Sequence, residues 1–114
     1  MSKSKSEKAV QYEVSLSIDI DIVDEYMAWL VPHMKEMLKI DGFLSASLCH
    51  VELLPSGEDD NKKHFCALYI VKNRSLLQNY FDHHAAKLRG DGVNKFKGKF
   101  SATRRITYLH KEIQ

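Results

Sequence analysis

Between residues 10 and 18 the chain alternates strictly, with Val10, Tyr12, Val14, Leu16 and Ile18 set against Gln11, Glu13, Ser15 and Ser17. A period of two in β-branched and aromatic residues predicts a strand with one buried face. The period then changes. At 100° per residue, Ile22, Val23, Tyr26, Met27, Trp29, Leu30, Met34, Met37 and Leu38 fall within one half of a helix spanning residues 21 to about 40. Asp21 and Asp24 resemble a capping box at its start, and Asp41-Gly42 stops it. Pro32 removes the bond to the carbonyl of Ala28, which predicts a kink.

Residues 43–54 and 63–71 read as two strands joined by the polar loop PSGEDDNK. Apolar residues occur on both alternations there, as expected for a sheet covered on both faces. Ser75 to Gln78 has the form of a capping box for a second helix. Its apolar arc is Leu76, Leu77, Tyr80, Phe81, Ala85 and Leu88, with His84 in the middle. Gly90-Asp91-Gly92 is expected to end that helix, and residues 93–97 to add one more turn. Residues 100–109 form the last strand, with Phe100, Ala102, Arg104, Ile106 and Tyr108 on one side.

The order β-α-β-β-α-β predicts an α+β, ferredoxin-like fold: a four-stranded antiparallel sheet with two helices on one face. Residues 1–9 read as a flexible tail and 10–114 as one domain. The sheet's other face is bare, and a second copy of the chain is the expected cover.

Composition changes this picture little, charge rather more. At 44% hydrophobic and 28% charged, 114 residues make one ordinary globular domain. No apolar run suits a membrane span, and the basic, serine-rich start lacks a secretory core, so a cytoplasmic protein is expected. Cys49 and Cys66 stand alone and are expected to be reduced. Residues 1–61 carry five Lys/Arg against twelve Asp/Glu, a net of −7. Residues 62–114 carry twelve against three, a net of +9. Such halves neutralise each other within a fold or a dimer, or offer the basic half to an anionic partner.

One set of residues also resembles a known family. Trp29 with His33-Met34-Lys35-Glu36, Gly42-Phe43, the run from Tyr80 through His84 to Arg89, and Phe100 with Arg104 resemble the dimeric α/β barrel superfamily. Within it they are most similar to an uncharacterised domain-of-unknown-function family, over residues 10–108. That family places a proline after the first helix's histidine, whereas here Pro32 precedes His33. The resemblance implies a homodimer whose two sheets face each other inside a ring of helices, with pockets between sheet and helices. Superfamily members include cofactor-free monooxygenases, muconolactone isomerase-like proteins and haem-binding dismutase-like proteins.

The candidate chemistry centres on His33 and His84, each on an apolar helix arc where imidazole could act as acid, base or ligand. Arg104 would hold a substrate carboxylate or enolate, with Trp29, Tyr26 and Tyr80 as stacking walls. A small anionic or aromatic ligand follows. Beside this stands the plainer reading that both histidines are hydrogen-bonded core residues in a binding or structural dimer. The sequence does not decide whether the protein is an enzyme.

Cys49, Cys66 and His64 share a predicted strand face but show no fourth ligand, so no metal is expected. Haem would need His84 or His33 as its axial ligand, and no CxxCH supports it. No GxGxxG, Walker loop, GxSxG or HExxH occurs, and no cofactor is expected. An RNA-binding sheet has the same element order. However, the segment from Lys63 to Ile70 lacks the glycine and central aromatic of that motif, which leaves nucleic acid resting on the basic run alone.

Overall fold

The computed structural model describes residues 8–54 and 61–114. Residues 1–7 of the tail expected at 1–9, and most of the PSGEDDNK loop, lie outside the described residues. Four strands, β1 (Val10–Asp19), β2 (Phe43–Val51), β3 (Lys62–Val71) and β4 (Phe100–Thr107), form one antiparallel sheet in the order β2-β3-β1-β4. Three helices accompany it: α1 (Val23–Met37), α2 (Arg74–His83) and α3 (Ala85–Lys95). This is the expected ferredoxin-like fold.

The alternation in β1 decides which face is inside. Val10, Tyr12, Leu16 and Ile18 are buried, whereas Gln11 and Ser15 are exposed. Across the sheet, Tyr12 faces Tyr69 on β3 and Ile106 on β4, and Val14 faces Ala67 and Arg104. These side chains meet the buried stripe of α1 (Tyr26, Leu30, Met34, Met37) and Leu77, Tyr80 and Ala85 from the other helices. The centre is aromatic. The Tyr12 ring lies 5.9 Å from Tyr69 and from Tyr80, and Phe43 lies 5.3 Å from Tyr80. Burying such rings contributes about 2–3 kcal/mol each, with edge and offset contacts adding to it.

The opposite sheet face carries Ser45, Ser47, Cys49 and Val51 on β2 and His64, Cys66, Leu68 and Ile70 on β3. Polar residues of β1 and β4 flank them. Cys49 lies directly across from Cys66, as the sequence suggested.

The helix ends differ from expectation. A 3₁₀ turn (Ile20–Ile22) precedes α1, and no side chain caps either. The Asp21–Asp24 box is therefore not formed. The second cap sits two residues earlier than expected, since the Asn73 carboxamide oxygen accepts from the Leu76 N–H at 2.9 Å. Ser75 donates its hydroxyl to that same oxygen. A polar side chain in extended backbone just outside the first turn outcompetes one inside it. Asn73→Ala should cost about 1 kcal/mol, read as a lower urea midpoint, while Ser75→Ala should cost less; the reverse order would reassign the cap.

The expected single second helix is two. His84 leaves helical geometry (φ −128°, ψ −30°) between α2 and α3. The chain then runs helically through Gly90 and Gly92 rather than stopping there. Gly92 survives inside the helix because its neighbour is a ring: a Cβ there would stand 2.6 Å from Trp29. At the turn into β2, Gly42 has φ +91°, which side-chain-bearing residues rarely adopt.

Candidate functional site

Between α1, α3 and the β1–β4 half of the sheet lies a cavity of about 50 Å³, lined among others by Tyr26, Trp29, His33, Tyr80, Arg89 and Arg104. Five of the six residues singled out from the sequence therefore meet in one place. α1 delivers Tyr26, Trp29 and His33 because positions i, i+3 and i+7 share one helix face. Arg104 arrives from β4 on the same alternation as Phe100 and Ala102.

His84 does not join them. It lines a separate cleft of about 330 Å³ with Glu36, Lys39, Asp41, His83 and Lys87. The helical break falls at His84 itself, so an arc drawn for one continuous helix misplaced its side chain. A His33–His84 catalytic pair is not formed.

His33 stacks on Trp29, ring centres 4.6 Å apart and 20° from parallel. Burial lowers its pKa below the usual 6.5, and Asp91 pulls weakly the other way. The shift favours the neutral imidazole at pH 7. The linkage sign follows. Because the folded pKa is depressed, its stabilising contribution is complete above pH 6.5 and is lost as pH falls through the folded value. Between pH 7.5 and 5, the urea midpoint of the native chain should fall more steeply than that of His33→Gln; parallel profiles would contradict this.

The phenols are kept neutral. Burial pushes Tyr26 to about 12, against the nearby Arg104 charge. It also pushes Tyr80 to about 12, against Arg89 and Arg104. Tyr69 is raised by burial as well. No carboxylate lines the cavity, so its charge is that of its guanidinium groups.

Arg89 was not recognised as a site residue from the sequence, where it counted only in a basic run. Its Nη2 donates to the Tyr12 hydroxyl at 2.9 Å, and its guanidinium lies 5.8 Å from the Phe81 ring centre. The signal was available: Ala85, Arg89 and Gly92 have the 4-then-3 spacing of an inward helix stripe.

Two open clefts adjoin the cavity. One, of about 290 Å³, shares Tyr12, Arg89 and Arg104 with it and adds Phe81, Arg105 and Ile106. The other, of about 260 Å³, shares Val93, Phe100, Ala102 and Arg104. A space of 50 Å³ holds water-sized molecules, whereas ligand sites run to roughly 300–1,000 Å³. Any metabolite must therefore lie mainly in the outer clefts. A haem does not fit at His33. Cys49, Cys66 and His64 form no metal-binding group: among the described residues no three potential ligands come together, and His64 Nδ1 is hydrogen-bonded to the Ser17 hydroxyl. No described helix is long and apolar enough to cross a membrane.

Solved structures share this architecture. A point variant of SnoaB, a cofactor-independent oxygenase from Streptomyces nogalater, superposes with a TM-score of 0.65 at 6% identity, covering 93% of this chain and 97% of that one. A dimeric ferredoxin-like protein from an uncultured marine organism gives 0.64 at 12% identity, covering 94% and 100%. A provisionally named antibiotic biosynthesis monooxygenase from Nitrosomonas europaea gives 0.64 at 12%, covering 96% and 97%. At such identities the likeness is one of fold, the ferredoxin-like α+β fold. No curated protein matches the chain in sequence. A family match covers residues 9–110, nearly the whole chain, and on it the protein belongs to the family described as domain of unknown function DUF4286.

Proposed function

We propose that this protein is a homodimer that binds a small molecule between sheet and helices, and that His33 moves a proton on it. One observation carries the reading: a neutral imidazole, held flat against Trp29, shares a cavity with Arg104. A base beside a fixed cation can take a proton from a ligand and stabilise the resulting oxyanion. That step serves an isomerase, and it also starts cofactor-free oxygenation, the activity named for the Streptomyces relative. Trp29, Tyr26 and Tyr80 form the walls. Dimerisation is supported by the apolar strip on the open sheet face and by the dimeric ferredoxin-like neighbour.

The small inner volume favours a second reading, a binding or structural dimer without catalysis. Native mass spectrometry of the protein as purified separates these readings. The expected result is a species of twice the 13.2 kDa chain mass that carries an additional small molecule. A ligand-free dimer favours the structural reading, and a monomer sinks both.

A further inference from the structure

We propose that the cleft between α3 and β4 binds an organic carboxylate, with Arg89 and Arg104 as its two anchors; this rests on the small-molecule reading of the same site and names the ligand's class. The starting point is an imbalance. Arg89 Nε is buried and has no acceptor in hydrogen-bond geometry, although the Tyr80 hydroxyl interacts with the same guanidinium. A buried guanidinium donor without an acceptor is destabilising, since the water it gave up is not replaced. It is tolerated where an acceptor arrives from outside.

Arg104 stands across the same cleft on β4 and forms no ion pair among the described residues. Its charge is felt instead by Tyr26, Tyr69 and Tyr80. Arg105, the cleft's third arginine, is already held by Glu13 at 3.1 Å. Two guanidinium groups thus border a space lined by no carboxylate.

Shape narrows the ligand. Arg89 is positioned by the Tyr12 hydroxyl through Nη2, and its Nε keeps an uncommitted N–H. A planar two-oxygen group suits guanidinium donors better than a single hydroxyl does. The remaining walls, Phe81 and Ile106, are apolar. They fit a flat or aliphatic body behind the carboxylate, and about 290 Å³ accommodates a small one.

The test uses benzoate and benzamide as matched probes. The full-length, nitrogen-15-labelled chain is titrated with each at constant ionic strength, following the arginine Nε–Hε resonances. Benzoate is expected to shift the Arg89 signal and to bind at least about tenfold more tightly than benzamide. Arg89→Gln and Arg104→Gln should each weaken benzoate about tenfold and leave benzamide unchanged. Arg104 is exposed, so its variant folds even where Arg89→Gln does not. Equal binding of both probes, or benzoate affinity unchanged in Arg104→Gln, overturns the carboxylate assignment while the small-molecule reading survives. Binding of neither probe overturns both.

Discussion

Truncating Tyr80 to alanine should cost about 3–5 kcal/mol, the range for removing a large aromatic side chain from a packed interior. Tyr80 is only 2% exposed. Its ring contacts Tyr12, Phe43 and Phe81 at centre distances of 5.9, 5.3 and 5.6 Å. These rings tie α2 to β1 and to the edge strand β2, so the hole would not collapse onto a single neighbour. Against a typical total stability of about 5–15 kcal/mol, such a loss leaves a marginal fold. Tyr80→Phe separates packing from chemistry. It keeps every ring contact and removes only a phenol that burial already holds neutral, so it should cost about 1 kcal/mol or less. Urea midpoints of the two variants provide the check. Equal losses would mean that the hydroxyl, through Arg89, matters more than the ring.

Placing arginine at Leu68 should turn the proposed dimer into a monomer while the chain stays folded. Leu68 sits on β3 with its side chain on the face away from the helices, opposite Glu13 and Ser47. Cys66 and Ile70 continue the same apolar strip along β3. On a solvated face the substitution is mild. Under a second sheet it buries a guanidinium beside a Glu13 carboxylate that Arg105 already engages, at a cost of several kcal/mol counted once per subunit. Sedimentation velocity on the native chain and on Leu68→Arg decides it. A dimer persisting in the variant would move the contact off this face, and with it the barrel arrangement of the two sheets.

The strands were legible because their signal is local. Val10 to Ile18 shows which residues share a face without reference to any neighbour, and the observed β1 extends that run by one residue. The same holds for Tyr26, Trp29 and His33, whose spacing on one helix put them together before any fold was known. Arg104 followed from its alternation with Phe100 and Ala102. Four strands and two helical segments in this order then permit few arrangements, which is why the ferredoxin-like plan was accessible too.

Other features depended on contacts between distant parts of the chain. His84 fell on the apolar arc only while the helix was assumed continuous. The break at that residue re-aims it into another cleft, and no periodicity within residues 74–95 announces the break. Gly90 and Gly92 looked like a helix end because glycine is a poor helix former. Gly92 is helical because Trp29, 63 positions away, occupies the space its side chain would need. Arg89 looked like one more solvated charge until Tyr12 and Phe81 closed around it. The sequence alone therefore determined the strands, the first helix and most of the cavity's lining, since those follow from alternation and helical spacing. Which cations face the cavity, which histidine is shut out of it and how little room it holds were decided by tertiary packing, because each depends on side chains brought together from opposite ends of the chain.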